Sequence, residues 1–241
     1  MVNGNALEVV LNTRKEVVAR NSGESLDVLL RLRAHEESAG NARTPLAISL
    51  VIDRSGSMNG GKLEEAKRCA IDLLNRLHDS DQVSVIIYDD QVDVLLETMS
   101  ARVAKTLLPI RLESIEPRGM TDLHGGWLSG AQSLAPLVSR DRGLMSRVIL
   151  LSDGQANVGI TSTEAVCMHV RELAAAGVTT STVGIGLEFN EELMTAIAKA
   201  GQGNSWYGQR ADDLAESFDA EMSFLANLAW QDVRVKLDLS L

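Results

Sequence analysis

Directly after the apolar run LAISLVI (46–52), an acid and two hydroxyls alternate in Asp53-Arg54-Ser55-Gly56-Ser57-Met58. Three side-chain oxygens on a glycine-containing turn can converge on one point. An all-oxygen set suits a hard cation such as Mg²⁺, whereas a soft metal would call for Cys or His. Two further oxygen donors stand in equivalent places: Thr121 in GMTDL, where a helix is expected to open, and Asp153 in LLSDG, directly after the run RVILL (147–151). Ligands of open α/β sheets bind at the carboxyl ends of strands, where the strand order reverses. Two carboxylates and three neutral hydroxyls are fewer donors than the six an octahedral ion takes, so an ion held there keeps an open position for an outside anion.

The elements that must position these residues follow from periodicity. From residue 46 onward, the apolar runs 46–52, 82–88 (QVSVIIY), 147–151 and 178–185 (VTTSTVGI) alternate with segments of helical spacing. That is the pattern of a parallel sheet covered on both faces by helices. Leu63, Ala66, Ala70, Leu73, Leu74 and Leu77 mark the first helix, and Leu123, Trp127, Ala131, Leu134 and Leu137 the second. Val166, Val170 and Leu173 mark a third, with Gly177 suited to its C-terminal turn; Leu193 and Ile197 mark a fourth, which Gly201 can end. Leu214, Phe218, Met222 and Leu225 mark a last one. Residues 91–99 follow the second run so closely that an antiparallel edge strand is expected there in place of a crossover helix.

Both ends change to alternation at period two: Leu26, Val28, Leu30, Leu32 and Ala34 share one face, as do Val233, Val235, Leu237, Leu239 and Leu241. The expected fold is α/β, a doubly wound, mostly parallel sheet over 45–228. A small antiparallel β subdomain is added by strands in 1–44, with 7–18 among them, and by a returning strand in 229–241. The last pattern still runs at Leu241, which predicts continuation of the natural protein.

DRSGSM, then GMTDL, then LLSDG resemble the metal-ion-dependent adhesion site of von Willebrand factor A domains, whose pattern is D-x-S-x-S, a later T and a later D. All five positions match, as Asp53, Ser55, Ser57, Thr121 and Asp153, and the resemblance spans roughly 45–228. The segments TVGIG and GQGNSWYG followed by a terminal helix are similar to bacterial members, including those set between strands of a small β-sandwich. The resemblance implies a Rossmann-like fold and a resident Mg²⁺, with Mn²⁺ or Ca²⁺ as substitutes. It also implies a protein partner that supplies Glu or Asp to the ion. In such a site Ser55 and Ser57 coordinate directly, while Thr121 and Asp153 exchange direct and water-mediated roles. The terminal helix (about 211–228) would shift as the metal shell rearranges.

Competing functions read less well. A Mg²⁺-dependent phosphatase of the haloacid dehalogenase type resembles D-x-D-x-T, and its general acid falls here on Ser55, which cannot fill that role. P-loop and GxGxxG cradles are absent, so no catalysis is expected. A purely structural metal would sit in a closed shell. The chain of 241 residues carries 23 basic against 33 acidic side chains, a net charge of −10 that opposes nucleic-acid binding. It has no apolar run of membrane-spanning length. MVNGNALEVV lacks a signal peptide's charged head and apolar centre, so a cytoplasmic location is expected, or an extracytoplasmic one if a leader has been removed. Cys69 and Cys167 read as small core residues. Of the neighbours, Arg54 is expected to be solvated, Asp122 to be a helix-start acid, and Trp127 to lie in the core. His124, His35, His78 and His169 are expected to be ordinary histidines, and Asp89, Asp90 and Asp93 to form a solvated turn.

Overall fold

A computed structural model describes residues 7–13, 28–34, 44–141, 144–187 and 189–226. Strands β1 (Leu7–Thr13) and β2 (Val28–Ala34) pair antiparallel, Leu7 opposite Ala34 and Thr13 opposite Val28. The alternation at 233–241 and His35 lie outside the described residues.

Thr44–Leu228 form a separate compact unit. Its strands are β3 (Leu46–Asp53), β4 (Gln82–Tyr88), β5 (Val92–Ser100), β6 (Met145–Ser152), β7 (Val178–Ile185) and β8 (Gln202–Gly208), in the spatial order β5-β4-β3-β6-β7-β8. Every pairing is parallel except β4 with β5, so the antiparallel edge strand stands where the close spacing puts it. The chain runs outward from β3 through β4 to β5, then returns to β6 on the other side of β3 and runs out to β8. The strand order therefore reverses between β3 and β6, and a crevice opens beyond their carboxyl ends. Those ends carry Asp53 and Asp153.

All eight residues of β3 are buried, because helices cover both faces. The helices are α1 (Lys62–Arg76), α2 (Ala101–Leu112), α3 (Leu123–Arg140), α4 (Thr163–Ala175), α5 (Glu191–Ala200) and α6 (Ala215–Ala226). On one face Ile48, Leu50 and Ile52 pack with Leu63, Leu73, Leu108, Phe218 and Met222, from α1, α2 and α6. On the other, Ala47 and Val51 pack with Leu123, Trp127, Val166 and Ile197, from α3, α4 and α5. Each buried aliphatic side chain contributes on the order of 2 kcal/mol. Cys69 and Cys167 are buried thiols in α1 and α4, and burial pushes Cys69 up to about 12, which leaves it unreactive. No helix of the described residues is long and apolar enough to cross a membrane.

Helix α3 lies close enough to the sheet that its glycines matter. A Cβ at Gly126 would stand 2.4 Å from the Tyr88 ring, and one at Gly130 2.4 Å from a Val51 methyl. The gap at Gly126 lets Tyr88 reach the end of β3, where its hydroxyl meets Asp53. Two elements are absent from the periodicity reading. Helix α2 carries a proline, Pro109, which masks the three- and four-residue spacing of Ala101, Ala104, Leu108 and Leu112. Strand β8 is a polar edge strand, QGNSWYG, without alternation.

Candidate metal centre

Strand β3 delivers Asp53 to the crevice as its last residue, with no solvent exposure. Oδ1 accepts the Ser55 N–H at 2.8 Å, which folds the turn back on itself, and Oδ2 accepts the Ser152 hydroxyl at 2.6 Å and the Tyr88 hydroxyl at 3.3 Å. Burial raises the Asp53 carboxyl above the usual carboxylate range, with the hydrogen bonds from Ser152 and Ser55 acting the other way. A carboxylate so placed gains from a nearby cation.

A tight 3₁₀ turn at Gly56–Met58 then aims both hydroxyls at one side. Ser55 Oγ lies 3.0 Å from Ser57 Oγ, which donates to Asp153 Oδ1 at 3.1 Å. Residues 96 apart in sequence thus meet because β3 and β6 are neighbours. Thr121 is 1% exposed on the loop before α3. Its N–H donates to Asn157 Oδ1 at 2.8 Å, and its carbonyl accepts the N–H groups of Asn157 and Val158, each at 3.1 Å. These bonds join the Thr121 loop to the segment following Asp153. The Gly56 N–H donates to the Gly119 carbonyl at 3.1 Å, so the Ser loop and the Thr121 loop are also joined. Side-chain contacts thereby link Asp53, Ser55, Ser57 and Asp153 in a chain, while Thr121 is brought alongside through its backbone.

Asp122 caps α3, accepting the Gly125 N–H at 2.9 Å, as a helix-start acid should. His124 is nearly buried, its Nε2 lies 2.9 Å from His169 Nδ1, and burial followed by the His169 charge lowers its pKa. It is a satisfied histidine next to Trp127, itself buried and donating to Thr180 Oγ1 at 3.0 Å. His78 shares a 2.8 Å bond with Ser80.

Two expectations are overturned. Arg54 is not solvated: it is 6% exposed, and its guanidinium bonds Asp89 through Nε at 2.8 Å and Asp93 through Nη2. Nor is Asp89 part of a solvated turn, although Asp90 and Asp93 are exposed. Asp89 is fully buried, because Arg54 and Arg118 both close on Oδ2, the latter at 2.7 Å, and the Gln91 N–H donates to Oδ1. Its carbonyl accepts the Asp122 N–H at 2.7 Å. Asp89 therefore clamps the Ser loop, the loop before Thr121 and the start of α3. The sequence signal for it was the placement of one arginine in each of the two motif loops.

Burial alone would raise the Asp89 carboxyl, but hydrogen bonds from Arg118 and Gln91, with the Arg54 charge, outweigh it and hold the group below its usual range. A depressed acid contributes stability above its unfolded value of about 3.9 and loses it as pH falls through the folded value. Asp89→Asn is therefore expected to cost about 3 kcal/mol at pH 7, because the buried Arg54 guanidinium loses its buried carboxylate, while the exposed Arg118 adds little. Urea titrations should show the gap to wild type closing below about pH 4; a gap that persists in acid would contradict the assignment.

The donor set fits a hard divalent cation: two carboxylates and three hydroxyls, all oxygen, with Ser57 half-buried at the open side. Among the described residues no three of His, Cys, Asp and Glu group to hold a metal.

The family model for the von Willebrand factor type A domain matches residues 47–220. An uncharacterised protein of Synechocystis, sll0103, is 29% identical over 199 residues, 82% of this chain and 46% of that protein. A von Willebrand factor type A structure from Catenulispora acidiphila superposes with a TM-score of 0.69 at 20% identity, over 90% of this chain and 49% of that one. Proximal thread matrix protein 1 of the mussel byssus, solved with zinc in its MIDAS motif, superposes at 0.57 with 21% identity, over 76% of this chain and 46% of that one. The chain spans less than half the length of each of these three proteins.

Proposed function

This chain belongs to the von Willebrand factor type A domain family, and on that premise we propose that it is a metal-dependent protein-interaction module with no catalytic step of its own. Domains of this family are generally interaction modules. In this reading Asp53, Ser55, Ser57, Thr121 and Asp153 hold one Mg²⁺, with Mn²⁺ or Ca²⁺ able to replace it. A partner protein then completes the ion's shell with a Glu or Asp side chain.

The observation that carries the reading is the run of contacts from Asp53 through Ser55 and Ser57 to Asp153, across the point where the strand order reverses. The zinc held by the mussel protein at its MIDAS motif supports the same use of the motif here. Five protein donors leave at least one position of an octahedral ion open, and there an anionic ligand gains more from the ion's field than a neutral one. Met120, 55% exposed beside Thr121, adds apolar surface at the rim. A phosphatase is disfavoured because Ser55 stands where a second carboxylic acid would have to protonate a leaving group.

The test is capture from native lysate by the immobilised chain, with Mg²⁺, with EDTA, and with Asp53→Ala. A protein retained only by the wild type in Mg²⁺ is the expected outcome. Retention that ignores both EDTA and the substitution would remove the ion from the interaction.

A further inference from the structure

Lys62 stands where helix electrostatics disfavours it. It is the first residue of α1, behind Gly61 at the N-cap, where the positive end of the helix dipole repels a cation. The same turn holds two acids, Glu64 and Glu65, but neither takes the ammonium. Glu64 bonds Lys67, and Glu65 bonds Arg68 and the Ala211 N–H. Lys62 Nζ instead crosses to α1's neighbour in the crevice and donates to Asp153 Oδ2 at 2.9 Å. The lysine is 27% exposed and the aspartate fully buried. The stem passes over Gly186, which adopts φ +93; a Cβ there would lie only 3.0 Å from Lys62 Cε and 3.2 Å from Cδ, so the absence of a side chain leaves this path open. Residues that break a local rule are expected at functional sites.

With Ser57 on Oδ1 and Lys62 on Oδ2, both oxygens of Asp153 are engaged. A divalent ion entering between Asp53 and Asp153 meets an ammonium already hydrogen-bonded to the same carboxylate, and like charges sharing one carboxylate in a partly buried site repel. From this placement we infer that Lys62 is an internal competitor of the divalent cation for Asp153. It neutralises the carboxylate in the metal-free protein and lowers the affinity with which the site takes its ion. Lys62 itself lines an open pocket of about 460 Å³ with Gly60, Gly61, Glu65, Gly186, Leu187 and Gln209, so the side chain has open space beside it when it leaves Asp153. The inference rests on the metal reading above.

The probe is Mn²⁺ alone, titrated into the full chain, with free ion read by electron paramagnetic resonance. Lys62→Met is expected to bind at least about tenfold more tightly than wild type, or about 1.4 kcal/mol. Lys62→Arg, which keeps the charge, should stay within about threefold of wild type. Lys62→Gln replaces Lys62→Met if that variant does not fold. The rise in melting temperature at a fixed subsaturating Mn²⁺ concentration should be larger for Lys62→Met than for wild type. Equal or weaker binding by a folded Lys62→Met overturns the competition and leaves the metal reading standing. Equal tightening by Lys62→Arg also overturns it, since space and not charge would then be the cause. Absence of Mn²⁺ binding in wild type and variants alike overturns the metal reading itself, and the competition with it.

Discussion

Replacing Asp53 by alanine is expected to abolish the stabilisation by Mg²⁺ and the capture of partner together. Only the folded chain brings the ends of β3 and β6 side by side, so only the folded chain offers the proposed donors together. At a hundred times the dissociation constant, such a ligand adds about 2.7 kcal/mol. For a domain of this size that corresponds to a rise in melting temperature of roughly 5–10 °C. Asp53→Asn separates charge from shape: the amide oxygen still accepts from the Ser55 N–H or the Ser152 hydroxyl, but the carboxylate needed by a hard cation is gone. Melting curves in Mg²⁺ and in EDTA check both variants, and both should give the same curve in the two buffers. A metal-induced gain that survives either substitution would remove Asp53 from the site.

The second large effect lies at the opposite end of the same sheet. Arg147 at the start of β6 and Glu221 in α6 are each 2% exposed and bond one another through Nη1 and Oε1. Glu221 also accepts from Ser181 Oγ at 2.7 Å and from Asn204 Nδ2 at 2.6 Å, while Arg147 donates to Thr179 Oγ1 at 3.1 Å. One carboxylate therefore ties α6 to β6, β7 and β8. Removing it strands a buried guanidinium, so Glu221→Ala is expected to lose about 4 kcal/mol of stability. That is roughly 8–16 °C in melting temperature. The double replacement of Arg147 by Met and Glu221 by Leu should recover most of the loss, because a well-packed apolar pair costs no desolvation. Urea titration of the three variants measures it; a Glu221→Ala protein as stable as wild type would show that the pair does not hold α6. The five candidate ligands lie at the other end of the strands, so metal affinity of the folded variant should change little.

How far the sequence carried the account depended on what kind of signal each feature leaves. Buried parallel strands leave continuous apolar runs, and β3, β4, β6 and β7 were all legible as such. Helices with one apolar stripe were legible too, whereas α2 was hidden by Pro109 and β8 by the polar composition of an edge strand. Asp53, Ser55, Ser57, Thr121 and Asp153 were legible because their types, order and strand-end positions agree. The residues that hold them were not. Ser152, Tyr88, Asn157 and Lys62 act through contacts with residues far away in the chain, and nothing in their local sequence marks those contacts. Asp89 and Arg54 looked like solvated charges because each was weighed alone; as a buried pair shared with Arg118 they become a clamp on two site loops.

The central claim is that one divalent ion sits among these five side chains with a face open to a visitor. A crystal of the chain soaked in Mn²⁺, with data collected for the anomalous signal of manganese, tests it most directly. The expected result is a single peak beyond the ends of β3 and β6, at direct-bond range of about 2.1 Å from Asp53, Ser55 and Ser57 oxygens. Thr121 and Asp153 should be reached directly or through one water, and at least one ligand position should be filled by solvent or by an acidic side chain of a neighbouring molecule. No peak there at saturating Mn²⁺, or an ion enclosed by protein atoms on every side, would contradict the account.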